Sequence, residues 1–265
     1  FISRTTQGAF RRARESLPDH DHVLAHSLSG APVVLGFIVQ RGKTQDNSTG
    51  DHATTPAATL PARPFRYISS GEQPERRLHR FDRAISALPE LTKVAQGNGA
   101  LTFVPDGDGV VRRVPLVLQL AGEPVPTLVA ETLRVAQGEE NYVLKTQGSD
   151  IGMEEIRIGQ FRIPTTAEGE LWVHYSPEVA SRYLPAWKVL AGTIPGAMLD
   201  GHLVLIGSSA EGLMDLRFSP LGRIMPGVEA HAQALEQILS GHILQRPGWA
   251  RPVESIAIII GGLAI

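Results

Sequence analysis

Between residues 101 and 241 short apolar runs alternate with helical patterns, and that alternation is the tightest constraint on what the chain can fold into. Residues 127–137 place Leu128, Val129, Thr132, Leu133 and Ala136 on one helical face and stop at Gly138. Residues 226–240 carry the cleanest amphipathic helix, with Val228, Ala232, Leu235 and Leu239 as its stripe and Gly241 as its end. Between them EIRIGQFRIP and ELWVHY, turning at Gly159 and Gly169, read as an antiparallel meander. A short helix at 185–192 and a buried strand at 203–207, LVLIG, complete the pattern. The expected class is α/β in the mixed α+β sense: a central sheet with flanking helices and an antiparallel meander.

The first hundred residues are less regular. Asp19 or Asp21 is placed to cap a helix with apolar positions Val23, Leu24 and Leu28, and VVLGFIV at 33–39 reads as a strand covered on both faces. Residues 40–63 are dominated by Gly, Thr, Ser, Asn, Ala and Pro with hardly a large apolar side chain, which predicts a mobile surface loop. Phe81, Ile85 and Leu88 predict a helix ended near Pro89, followed by a strand at 101–104. The PDGDG turn leads to a returning strand at 110–120, broken by Pro115.

Composition narrows function. Of 265 residues 42% are hydrophobic, so a packed core is affordable, and 25 basic against 27 acidic residues leave no broad basic surface for a phosphate backbone. Nucleic acid is not an expected partner. No cysteine is present, which removes disulfides, thiolate metal sites and cysteine nucleophiles together. The last ten residues, IAIIIGGLAI at 256–265, predict the start of a transmembrane helix at 253–265 behind a folded domain at 1–252. Arg246 and Arg251 stand just before that run, a charge pattern more common on the cytoplasmic side, although long domains translocate largely regardless of charge.

Several motifs carry chemistry in principle. Asp106-Gly107-Asp108-Gly109 resembles the start of a calcium loop, but the remaining ligands and the bidentate Glu are missing, and Asp and Gly are what a tight turn needs. Asp106 and Asp108 are therefore expected to bond nearby backbone amides. Arg112 and Arg113 alternate across the next strand, so one faces inward and needs a carboxylate, with Asp215 and Glu229 as candidates. His20, His22 and His26 beside Asp19 and Asp21 have zinc-like spacing, yet the catalytic glutamate of HExxH is absent and a solvated helix cap explains them. IGSSAEGLMD after a strand departs from the GxSxG nucleophile elbow at its last position; Ser209, Asp215 and His231 are the alternative reading, a membrane-tethered serine hydrolase. No cofactor motif and no metal site is expected.

Five segments in order, GNGALTFVPDGDGVVRRVPL, PTLVAETLRVAQG, IPTTAEGELWVHY, WKVLAGTIPGAMLDGHLVLIGSSAEGLMDLRFSP and MPGVEAHAQALEQILSGHILQRP, followed at once by an apolar run, resemble the CHASE type-two domain. The resemblance runs from Asp19 to the C-terminus, omits 40–63, and lacks the family's opening strand with its acidic residue. It implies a non-enzymatic extracytoplasmic sensor in the inner membrane of a bacterium, flanked by membrane helices. The implied partners are an unknown small-molecule or protein stimulus and the membrane, with room for a homodimer. The implied effector is a class III adenylate or guanylate cyclase, otherwise a histidine kinase or protein kinase. It transfers no catalytic residue. The polar positions inside the matching motifs, Asp106, Asp108, Arg112, Asp215, Glu229 and His231, are the ligand-binding or signalling candidates.

Overall fold

The computed structural model describes residues 19–42, 66–71, 76–146, 152–208, 215–245 and 250–263. The expected loop at 40–63 falls, from residue 43 on, outside the described residues. The class is mixed α+β, built from several small sheets rather than one central sheet.

In the first sheet β1 (Val34–Gln40) lies between β4 (Arg83–Ile85), antiparallel to it, and β5 (Gly97–Ala100), parallel to it. The sequence of β5 explains what packs on it. Its glycines leave room for the helix α3 (Leu128–Gln137): a Cβ on Gly99 would stand 2.6 Å from the Leu128 Cα, and one on Gly97 would stand 2.5 Å from Glu131 Oε1. Helix α3 ends, as its pattern predicts, at Gly138 with φ 66°, a left-handed cap that a side chain would strain. A buried ion pair sits on this helix. Arg134 donates to Glu131 at 2.8 and 2.9 Å, the Tyr142 hydroxyl donates to the same carboxylate, and Glu131 has no exposed surface.

The second sheet has the order β11 (Phe161–Pro164), β10 (Met153–Ile158), β9 (Asn141–Thr146), β2 (Arg66–Ser70), with β2 parallel to β9 and the rest antiparallel. Its inward side chains, among them Leu144, Ile156, Ile158 and Ile163, join Leu116, Leu133, Leu171, Leu235 and Ile238 in the main core. A smaller core around Phe37, Leu118 and Leu120 lies by the sheet of β3 (Arg80–Phe81), β7 (Val117–Leu120) and β8 (Glu123–Pro126). Two two-stranded ribbons complete the set: β6 (Arg113–Pro115) with β12 (Glu170–Trp172), and β13 (Leu216–Phe218) with β14 (Ile224–Pro226). Helix α5 (Gly227–Ser240) packs Ala230, Ala234, Leu235 and Ile238 on the main core, so that of the expected stripe only Leu235 is buried and Leu239 is 50% exposed; Gly241 caps the helix at φ 74°.

Five expectations are corrected. Residues 81–88 form the strands β3 and β4 instead of a helix, because Pro89 occupies the first turn of α2 (Pro89–Val94): a proline with its φ fixed opens a helix as readily as it stops one. The strand expected at 101–104 lies four residues earlier, in β5, where glycines permit close packing. The run 110–120 splits into β6 and β7, and β6 pairs with β12, so ELWVHY leaves the meander. Helix α1 (His20–Leu28) is capped by Asp19 but leaves Val23 and Leu24 exposed, burying Ala25 instead. The stretch 203–207 is not a strand; Leu203 and Leu205 pack on the core while Val204 and Ile206 are 58% and 92% exposed.

The short helix expected at 185–192 is present as α4 (Ala186–Leu190). The terminal apolar run is helical, α6 (Ala250–Leu263), with Val253, Ile256, Ile258, Ile259 and Ile260 all more than half exposed. No described helix is long and apolar enough to cross a membrane.

Candidate functional site

The acidic turn is closed by its backbone: the Gly109 amide donates to the Asp106 carbonyl at 2.8 Å and the Asp106 amide to the Val110 carbonyl at 3.0 Å. Gly109 takes φ 80°, and Asp108 Oδ1 accepts from the Val110 amide at 3.1 Å. Asp106 behaves otherwise than expected, because its carboxylate is taken by arginines. Successive residues of a strand point to opposite faces, yet Arg112 and Arg113 both reach Asp106: Arg112 Nη1 donates to Oδ2 at 2.8 Å, and Arg113 Nη2 donates to Oδ1. One carboxylate thus holds both arginines, Arg112 just before β6 and Arg113 at its start. Arg112 also holds Asp108 through two bonds, at 3.0 and 2.8 Å.

Arg113 extends the network inward. Its Nη1 donates to Glu170 Oε2 at 2.7 Å, His79 Nε2 lies 2.9 Å from Glu170 Oε1, and Glu170 is fully buried. The guanidinium lies 5.2 Å from the centre of the Trp172 ring, its partner in the β6–β12 register. Neither Asp215 nor Glu229 is the carboxylate that answers the inward arginine; Glu170 is. The hydrogen bonds from Arg112, then Arg113, hold the Asp106 carboxyl below its usual range, and those from Arg112 and the Val110 amide bring Asp108 down to about 2. Both are ionised at any physiological pH.

Asp215, Glu229 and His231 form a second group around the start of α5. Asp215 Oδ1 lies 3.2 Å from Arg217 Nη2, and its carbonyl accepts from the Gly227 amide at 2.7 Å. Glu229 is buried and accepts from Gln233 Nε2 at 3.0 Å, with Arg223 Nη2 at 3.5 Å. Arg223 also reaches Glu178, at 3.0 Å. Burial first, then Glu229, raises the Tyr175 and Tyr183 hydroxyls above their ordinary range. His231 is 3% exposed and stacks on Phe103 with centroids 4.4 Å apart; Arg217 lies 5.5 Å from the same ring. Burial lowers the imidazole to about 4, against the raising effect of its hydrogen bond to the Leu101 backbone. A catalytic base must also reach the substrate, and the His231 side chain is enclosed by the core. Ser209 lies outside the described residues, so the serine-hydrolase reading has no support here.

Near the N-terminus, Asp19 Oδ1 accepts from the His22 amide at 3.1 Å, the cap geometry of a helix start. Among the described residues no group of three or more His, Asp or Glu side chains is placed to hold a metal ion.

A feature sequence reasoning missed joins the two groups of polar residues through β12. Past Trp172, where β12 ends, the chain is met by two glutamines of α5. Gln237 accepts from the His174 amide at 2.8 Å and donates to the Trp172 carbonyl at 2.9 Å; Gln233 accepts from the Ser176 amide at 2.8 Å and donates to the Ser176 carbonyl at 3.4 Å. Their side-chain amides stand where a neighbouring strand would be. After α5 the chain returns to β12, bridging Leu244 to Trp172. The signal was present in the sequence as two polar residues spaced i, i+4 beside an otherwise apolar stripe.

No curated protein and no solved structure matches the chain. A family model described as the CHASE2 domain matches residues 4–265, a span that includes the stretch 40–63 set outside the resemblance above. That match covers nearly the whole chain, including the residues that build β5, the acidic turn, α3, β12 and α5. The chain belongs to the CHASE2 family, extracellular sensory domains of signalling proteins.

Proposed function

We propose that this chain is the extracytoplasmic ligand-sensing region of a bacterial transmembrane signalling protein, with 1–252 as the sensor and 253–265 opening a membrane helix. The observation that carries this reading is α6: consecutive apolar residues at 256–260 leave no polar face for water to prefer, and Ile258 and Ile260 are 74% and 63% exposed. Past Arg251, Glu254 and Ser255 the helix is apolar all round, and such a surface needs a second apolar environment, which the bilayer supplies. The domain then stands in the periplasm of an inner-membrane protein. The output domain proposed is a class III adenylate or guanylate cyclase; a histidine kinase or protein kinase is the competing effector.

In this reading Asp106, Asp108, Arg112, Asp215, Glu229 and His231 hold one of two arrangements of the domain rather than touch a stimulus. A path of direct contacts supports such coupling: Asp106 to Arg113, Arg113 to Glu170 on β12, and Trp172 of β12 to Gln237 on α5, with Gln233 holding Ser176 just beyond the strand.

The chain has no cysteine, which makes the test direct. In the full-length protein, Lys93→Cys on the surface of α2 is expected to react with a membrane-impermeant maleimide in cells with a permeabilised outer membrane but intact inner membrane. Labelling only after cell lysis overturns the extracytoplasmic placement. Cyclic nucleotide production by the same membranes tests the effector, and phosphotransfer from ATP to a histidine would replace the cyclase.

A further inference from the structure

A cleft of about 390 Å³ opens between the last turns of α3 and α5, the β10–β11 turn and residues 201–203. Leu133, Ala136, Phe161, Leu203 and Leu239 supply its apolar wall. Both helices end here with an apolar side chain turned outward: Ala136 is exposed, and Leu239 is 50% exposed. The volume falls within the range of small-molecule sites.

The polar groups define what fits. Gln137, Gln160 and His202 are the polar side chains among the lining residues, and no Asp, Glu, Lys or Arg is among them. An ionised ligand would give up its hydration with no counter-charge in return. Gln137 is already spent: its Nε2 donates to the carbonyls of Leu133 at 2.9 Å and Ile158 at 3.2 Å, and its Oε1 accepts from the Gln160 amide at 3.1 Å. It is a fixed wall and offers a ligand little. His202 differs. Its Nδ1 lies 3.0 Å from the Asp200 carbonyl, which can only accept, so in the neutral ring the proton sits on Nδ1 and Nε2 carries the lone pair. The cleft therefore offers an acceptor beside an apolar wall.

We propose that this cleft is a binding site for an uncharged aromatic or short-chain molecule carrying one hydroxyl or N–H donor, held by the Leu133–Leu203–Leu239 wall and by Nε2 of His202. Such a ligand braces the last turn of α5, the point from which the chain leaves toward 242–252. The proposal deepens the sensory reading and rests on it for its meaning, but the two fail separately: maleimide labelling reports membrane placement, whereas binding to the purified domain reports the cleft.

The probe is 2-naphthol, uncharged at pH 7 and fluorescent, compared with naphthalene-2-sulfonate, its anionic counterpart. Saturable binding of 2-naphthol is expected, with the sulfonate weaker by about tenfold or more. Ala136→Phe, which fills the cleft from an exposed helix position, is expected to weaken 2-naphthol about tenfold with an unchanged far-UV circular dichroism spectrum, and Leu239→Trp is a second plug should the first misfold. His202→Ala is expected to cost about fivefold, the loss of one hydrogen bond. Failure of the parent to bind 2-naphthol overturns the proposal, since the cleft is then closed or filled by the chain itself. Equal affinity for the sulfonate, or full affinity in a folded plug variant, overturns it too. Sedimentation that finds the parent dimeric and Ala136→Phe monomeric assigns the cleft to a second copy instead.

Discussion

Residues 97–175 and 176–208 hold apolar side chains of the same kinds and treat them in opposite ways. In the first stretch Leu116, Leu118, Tyr142, Ile156, Ile158 and Leu171 have no exposed surface. In the second Trp187 is 64% exposed, Leu190 89% and Ile206 92%. The first stretch lays its strands against others distant in sequence, β6 against β12 and β2 against β9, so each apolar face finds a second one. Among the described residues the second has only two 3-10 turns, the five-residue α4 and the run at 203–207, which pairs with no described strand, and none of them is long enough to fold over itself. An apolar pattern states that a surface prefers cover; only a partner element supplies it.

That contrast is open to attack, the largest effect first. Glu131→Leu leaves Arg134 buried without its carboxylate, and a loss of about 3–5 kcal/mol is expected in urea denaturation. A loss near zero would mean that the packed stretch does not set the stability of the domain. Next is acid. The folded imidazole of His231 titrates at about 4, below its ordinary 6.5, so the unfolded chain takes the proton first. The stabilisation is whole above pH 6.5 and is lost as pH falls toward 4, about 2 kcal/mol of it between pH 7 and 5. Asp108, brought down to about 2, contributes its own loss only below its ordinary 3.8, outside that window. A His231→Phe protein is expected to show a nearly flat melting temperature from pH 7 to 5, and an unchanged slope in that variant would place the titrating group elsewhere. The smallest effect belongs to the open stretch: Leu190→Ser and Ile206→Ser are each expected to change the stability of the isolated domain by no more than about 0.5 kcal/mol. A larger loss from either would show that these side chains are covered after all.

The helices α3 and α5 were legible in position because periodicity, a defined length and a terminal glycine agreed, but their buried faces were only partly so: α5 buries Ala230, Ala234 and Ile238 beside Leu235 and leaves Leu239 outward. Pro89 misled because proline punctuates both ends of helices, and nothing local distinguishes the two uses. The run at 203–207 misled because β-branched residues in sequence look alike whether or not a neighbour exists to cover them. Within the polar site the grip of Asp106 and Asp108 on Arg112 was missed, although the turn itself brings the three residues together; only the turn at 106–109 was legible. Glu170 was not. It meets Arg113 across 57 positions through the β6–β12 register, and register between distant strands depends on the whole topology. His79, further still at 91 positions from Glu170, was invisible for the same reason.

The paired glutamines of α5 have a mechanical consequence. Four residues of helix advance about 6 Å, and two residues of strand advance about 6.6 Å, so Gln233 and Gln237 match Ser176 and His174 as the marks of two rulers match. A match of this kind tolerates no half steps. If α5 slides along its axis or turns by a single residue, both amides leave their partners together, because neither can follow alone. The helix and the segment 174–176 are therefore expected to part in one step, both glutamines letting go together rather than one after the other.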